Sequence, residues 1–242
     1  MDYKEVCEKL YSKWTEDESA FSDIKGFDTK FLIEPYCRLQ NGNNPLYVLN
    51  NNPGKGLEIQ SRSGELGSIK NTTYSELSKQ CVEKIVSKLL KGKALERVSK
   101  MTEFAEKLGF EGLEETESFF LHSERFNKHS FLKKNENQTI KEYTQALTEY
   151  LKDKPVLSIN AVSTKESISK NSIQKSEWLE HIAKIISFDF DKAKEIKLTK
   201  KDEKITSAAY IYDKKIMIFM MGSNNLPKIS EDKYKEIQNA LK

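Results

Sequence analysis

The sequence predicts an α/β protein, a three-layer α/β/α sandwich around a central four-stranded, mainly parallel sheet. Three observations carry that expectation. Four short runs are apolar on both faces, the pattern of strands covered by helices on either side. Between them, apolar residues recur at helical spacing, and such alternation builds a parallel sheet with helices on both faces. The length, 242 residues, suits one large α/β domain, so residues 1–242 are expected to form a single domain.

The first strand is Leu46-Tyr-Val-Leu49. A helix follows from Thr73, because Thr73-x-x-Glu76 is a capping box and Tyr74, Leu77, Cys81, Ile85 and Leu89 share one face. Leu95, Val98, Met101, Phe104, Ala105 and Leu108 define a second helix, and Ser118-Phe-Phe-Leu121 reads as the second strand. The Lys/Asn/Glu stretch 133–138 reads as a loop. Thr139-x-x-Glu142 opens a third helix along Ile140, Tyr143, Leu147, Tyr150 and Leu151, and Pro155-Val-Leu-Ser-Ile159 is the third strand. Trp178, Ile182, Ile185 and Ile186 line a fourth helix. Ile205 to Tyr212 reads as one arm of a hairpin with the last strand, Lys215 to Met221, an antiparallel addition, and Tyr234, Ile237 and Leu241 close the chain in a helix.

Composition excludes several classes. No apolar stretch approaches the roughly 18 residues of a membrane span, and the first turns are charged rather than signal-like, so a cytoplasmic protein without a membrane partner is expected. Cys7, Cys37 and Cys81 are odd in number and far apart, which argues against a disulfide scaffold, structural zinc or an iron–sulfur cluster. Net charge is only +3, so evidence for a nucleic-acid partner must be local.

It is local at the strand ends, where open α/β sheets bind their ligands. The first strand runs into Asn50-Asn51-Asn52-Pro53-Gly54-Lys55-Gly56 and the second into His122-Ser123-Glu124-Arg125-Phe126. The third runs into Asn160-Ala-Val-Ser163, and the fourth into Gly222-Ser223-Asn224-Asn225-Leu226-Pro227-Lys228. All four ends are rich in amides, hydroxyls and Lys or His. Lys and backbone amides neutralise phosphates while Asn reads base edges, so the rim suits DNA. A polar loop is also what any connection presents, and agreement across four ends is what raises this reading above that one.

Leu-Tyr-Val-Leu followed by Asn50-Asn-Asn52-Pro53-Gly54 resembles the first motif of the uracil-DNA glycosylase superfamily, whose mismatch-specific and single-strand-selective branches read Gly-x-Asn-Pro-Gly after strand one. Asn52, Pro53 and Gly54 match directly, and Asn50 replaces the leading Gly. The resemblance implies a cofactor-free, metal-free monomeric enzyme. His122 stands where the superfamily carries its base-reading Asn, while Leu-Ser-Ile-Asn160 also resembles the base-reading strand of another branch, and only one of these alignments can hold. The last motif lacks its His, and Leu226 is either a wedge replacing the extruded base or an apolar staple before the final helix. Ser223, Asn224, Asn225 and Lys228 would grip phosphates, with Asn51, Lys55, Glu124 and Phe126 lining the substrate site.

The chemistry fits these residue types. Breaking an N-glycosidic bond builds positive charge on the sugar and negative charge on the base, so a site needs an oriented water and donors aimed at the anion. Asn52 can hold the water, Pro53 fixes the backbone, and Gly54 admits a nucleotide closely. His122 can donate or accept at the base or assist the leaving group. The expectation is a monofunctional DNA glycosylase that flips out a damaged or modified pyrimidine, uracil or a modified cytosine such as a glucosylated hydroxymethylcytosine of phage DNA, and leaves an abasic site. The alternative is a non-catalytic nucleotide or nucleic-acid binding module of the same fold.

Overall fold

A computed structural model describes residues 2–17, 20–22, 24, 37–39, 42–50, 73–86, 93–120, 137–162, 167–173, 177–222 and 226–242. The described elements in chain order are α1 (Tyr3–Glu16), β1 (Cys37–Leu39), β2 (Leu46–Asn50), α2 (Tyr74–Val86), α3 (Lys93–Lys107), β3 (Leu113–Glu117), α4 (Gln138–Leu151), β4 (Val156–Val162), α5 (Lys170–Ile173), α6 (Glu177–Ile185), β5 (Lys194–Lys201), β6 (Lys204–Tyr212), β7 (Lys215–Met221) and α7 (Glu231–Ala240).

The strands form one seven-stranded sheet in the order β1-β3-β2-β4-β7-β6-β5. Its centre, β3-β2-β4-β7, is parallel throughout; β2, β4 and β7 are strands expected from sequence, whereas β3 precedes the expected run at Ser118. The expected four central strands with Ile205–Tyr212 as an antiparallel addition become seven among the described residues: β1 adds antiparallel to β3, and β6 and β5 extend the other side antiparallel from β7. The hairpin of β6 with β7 is as expected. β5 joins β6 through Asp202 and Glu203, both with left-handed backbone (φ 48° and 64°), a type I′ turn built without glycine.

Strand alternation divides the core into two. Val156, Met217, Phe219, Ala208 and Tyr210 face one side, packed with buried residues of α1, α2, α4 and α6. Leu157, Ile216, Ile218, Ala209 and Ile211 face the other, packed with Met101, Phe104 and Ala105 of α3 and Tyr234 and Ile237 of α7. The result is the expected three-layer α/β/α arrangement. Among the described residues no helix is long and apolar enough to cross a membrane.

Local chemistry sets the element ends. The Thr73 amide donates to Glu76 Oε2 at 2.8 Å and the Glu76 amide to Thr73 Oγ1 at 3.2 Å, the reciprocal capping box, which holds the Glu76 carboxyl below its usual range. α3 ends in a Schellman motif. The Phe110 amide reaches the Ala105 carbonyl at 3.0 Å and the Gly109 amide reaches Glu106 at 2.9 Å, a turn that places Gly109 at φ 87°.

Two boundaries differ from expectation. α4 starts at Gln138, because the Asn137 side chain accepts from the Thr139 amide at 2.8 Å and takes the capping role assigned to Thr139. Residues 137 and 138 therefore belong to a helix start rather than a loop. The second parallel strand is Leu113–Glu117, five residues before the apolar run at Ser118. Its acidic side chains are accommodated by specific partners: Tyr150 donates to Glu114, and Asn50 donates to Glu115 and Glu117 at 3.0 Å each.

Candidate functional site

Because β3, β2, β4 and β7 run parallel, their carboxyl ends lie along one edge of the sheet, and the segments following Asn50, Glu117, Val162 and Met221 all leave from it. The connections lead from β2 to β3 on one side and onward to β4 and β7 on the other, so the strand order reverses at β2. Ligand crevices form at such a switch point. The registered pairs of β2 with β4 are Tyr47–Val156 and Val48–Leu157, whereas β2 pairs with β3 along its whole length to Asn50–Glu117.

Most of the residues singled out from sequence follow these ends directly and lie outside the described residues: Asn51, Asn52, Pro53, Gly54, Lys55, His122, Glu124, Phe126, Ser223, Asn224 and Asn225. Asn160, Leu226 and Lys228 are described.

Asn160 is 1% exposed and sits near the carboxyl end of β4, paired with Phe219 of β7. Strand alternation puts it with Val156 and Ser158 on the face covered by α1, α2, α4 and α6. Its Nδ2 donates to Ser158 Oγ at 3.1 Å, and its Oδ1 is buried with no hydrogen-bond partner. Leaving such an oxygen unpaired costs about 1–3 kcal/mol, a cost that a ligand donating to it would recover.

Leu226 lies in the segment leading to α7. It is 5% exposed and belongs to the apolar cluster of Ile229, Tyr234 and Ile237. Ile229 and Tyr234 bracket the start of α7 as the hydrophobic staple. Lys228 is exposed and available to a phosphate. Acidic Glu231 and Asp232 occupy the first turn of α7, which disfavours an anion at the helix terminus itself.

Asn50, the root of the Asn51–Gly56 segment, is fully engaged on the α3 face. Arg97 of α3 donates to its Oδ1, and its Nδ2 donates to Glu115 and Glu117, while Arg97 also pairs with Glu115 at 3.3 Å. With every amide group used, Asn50 is an anchor rather than a reader. Behind β3, Tyr143 donates to the Glu117 carbonyl at 2.6 Å and its hydroxyl meets that of Tyr3 at 3.0 Å. The neighbouring Cys7 thiol is buried and pushed up to about 11 by burial, which makes it inert.

His181 of α6 was not singled out from sequence. Burial pushes its pKa down to about 4 against the opposing effect of a hydrogen bond to the Ser118 backbone, with the Lys184 charge lowering it further. The ring therefore stays neutral at pH 7. It lies 5.3 Å from the Trp178 ring, and its Nε2 is buried with no hydrogen-bond partner. Surrounded by Trp178 and Ile182 on a helix, it reads in sequence as a core position.

A groove of about 670 Å³ lined by Leu179, Ala183, Phe188 and Phe190 lies elsewhere. Phe188 meets Tyr212, which pairs with Lys215 at the amino end of β7, far from the carboxyl edge. Among the described residues, no three His, Cys, Asp or Glu side chains converge as metal ligands. No family model matches the chain, and neither a curated protein nor a solved structure does.

Proposed function

We propose that the protein is a DNA glycosylase of the uracil-DNA glycosylase type, which extrudes a damaged or modified pyrimidine and hydrolyses its glycosidic bond. The observation that carries the reading is Asn160: a buried amide with an unused acceptor near the carboxyl end of β4, the neighbour of β2, after whose last residue Asn50 the Asn51-Asn52-Pro53-Gly54 run follows in sequence. A buried amide with spare capacity suits the edge of a flipped base. Between the two candidate base readers, this environment favours Asn160 over His122.

In this reading Asn52 orients a water toward the sugar. The C1′–N bond breaks with its electron pair leaving on the base, the water oxygen bonds C1′, and the water proton ends on the departing base. An amide is too weak a base to take that proton in the ground state, which suits a reaction whose cationic sugar needs a placed water more than a strong nucleophile. Lys228 and the preceding Ser223–Asn225 would hold phosphates flanking the flipped nucleotide.

Abasic-site formation on DNA carrying candidate bases tests the reading, with Asn52→Ala and Asn160→Ala as controls. Excision by the parent chain, abolished in Asn52→Ala with DNA affinity kept, is expected. DNA binding without excision of any base would instead indicate a binding module of the same fold.

A further inference from the structure

We propose that the β5–β6 hairpin is a DNA-binding arm, in which Lys197, Lys200 and Lys201 of the outer strand hold the phosphate backbone to one side of a nucleotide at the carboxyl edge of the sheet. That the polyanion is DNA rests on the glycosylase reading; the placement of the arm does not.

β5 is antiparallel to β6 and β6 to β7, so β5 runs in the direction of β7 and ends at the carboxyl edge of the parallel strands. Ala161 of β4, Met220 of β7 and Ser207 of β6 form one row across the sheet. Beyond that row β7 continues only to Met221, whereas β6 reaches back to Lys204. The hairpin therefore projects roughly 5–7 Å past β7 before its turn. It is braced in that position. The Ile168 amide donates to the Ile205 carbonyl at 2.9 Å and the Ile205 amide to Ser167 Oγ at 3.2 Å, which ties the arm to the chain that has just left β4. Across the hairpin, Thr199 Oγ1 meets Thr206 Oγ1 at 2.8 Å and Ser207 Oγ at 2.6 Å.

β5 is the last strand on this side of the sheet, and Lys197, Lys200 and Lys201 are exposed from its middle to its carboxyl end. Glu195 lies nearer the amino end, and Asp202 and Glu203 occupy the turn, so the cationic part of the arm is its outer flank rather than its tip. Lys170, Lys192 and Lys233 spend their charge on Asp191, Asp189 and Glu236. Among the described residues no carboxylate comes within ion-pair distance of Lys197, Lys200 or Lys201. Lysines also guard edge strands against a further strand, but register shifts at Lys197/Thr199 and Thr199/Lys200 already spoil this edge for pairing. The row Asn160–Phe219–Ala208–Lys197 spans three strand spacings, about 14 Å. A duplex rising about 3.4 Å per base pair covers that span in about four base pairs, which sets where the arm meets the backbone.

The test is the salt dependence of binding of the full chain to a duplex carrying a central uracil, followed by fluorescence anisotropy. Each phosphate contact contributes about 0.9 to the slope of log affinity against log salt. The triple variant Lys197→Gln/Lys200→Gln/Lys201→Gln is expected to lower that slope by about 2–3 and to weaken binding at least about tenfold at low salt. Lys197→Arg/Lys200→Arg/Lys201→Arg is expected to keep both, which separates charge from any change in the hairpin. Lys152→Gln/Lys214→Gln, exposed at the amino edge, is expected to alter neither. Placing the uracil within about two base pairs of one duplex end is expected to abolish the difference between the parent and the Gln variant at that end only. Equal slopes for the parent and the Gln variant, an equal loss in the amino-edge variant, or a parent that binds no DNA overturns the proposal. Self-association of the Gln variant with an unchanged slope also overturns it and makes the lysines edge guards. If a base is excised while the slope is unchanged, the arm is wrong and the glycosylase reading stands. A lowered slope without excision of any base leaves the arm standing and removes the glycosylase reading.

Discussion

Lys215, at the start of β7, donates its buried ammonium to the carbonyl of Leu151 at 2.9 Å, the last residue of α4. It also reaches the carbonyls of Lys152 at 2.8 Å and Lys154 at 2.5 Å. A cation there satisfies the orphan carbonyls of the helix end and complements its dipole. The helix end is thereby tied to the amino edge of the sheet, opposite the candidate site.

Lys215→Met removes the donor and leaves buried carbonyls unpaired. A loss of roughly 2–4 kcal/mol is expected in urea denaturation. Lys214→Met, one residue away and exposed, is expected to change stability by less than about 0.5 kcal/mol.

His181 sets a pH dependence. Its pKa falls from 6.5 to about 4 on folding, so below pH 6.5 the unfolded chain takes up a proton that the folded chain refuses. The stability linked to this group is present above pH 6.5 and is lost as pH falls toward 4, on the order of 3 kcal/mol across that window. Thermal melts of the parent and His181→Asn between these limits are expected to converge as pH falls. Parallel curves would show that the ring is not held neutral.

The Asn50 anchor is expected to couple stability and function. Asn50→Ala breaks bonds to Arg97, Glu115 and Glu117 and is expected to cost about 1–3 kcal/mol. Excision is expected to slow beyond what the folded fraction explains, since the Asn51–Gly56 segment departs from this residue. Arg97→Lys keeps the charge but loses the planar fork that serves Asn50 and Glu115 together, and is expected to show the same effect more weakly.

What the sequence revealed depended on where the energy of each element resides. β2, β4 and β7 are stabilised by apolar burial and read directly as apolar runs. β3 was placed too late, because Leu-Glu-Glu-Thr-Glu looks like a solvated segment, and only Tyr150, Asn50 and Arg97, distant in sequence, explain how those carboxylates are held. β5 was missed for a related reason: only Ile196 and Leu198 of its eight residues are buried, and its turn lacks glycine. α1 was missed although Tyr3, Val6, Cys7, Leu10, Tyr11 and Trp14 recur at helical spacing behind the Asp2 cap, because the charges between them dominate the composition.

Of the candidate site, Asn160 was legible because an amide closing an apolar strand is conspicuous. His181 was not, since a histidine on an apolar helix face looks like core until its unpaired nitrogen and the Ser118 contact are known. The burial of Leu226 likewise required knowing which cluster lies beneath α7.

The most direct measurement is alkaline strand scission of DNA carrying uracil, mismatched thymine, hypoxanthine, cytosine or 5-hydroxymethylcytosine after incubation with the parent chain, Asn52→Ala and Asn160→Ala. Scission by the parent at one class of base is expected. It should be abolished in Asn52→Ala and reduced at least tenfold in Asn160→Ala, with both variants folded and binding DNA as the parent does. Intact strands with every base, under conditions where the parent binds DNA, would contradict the glycosylase account.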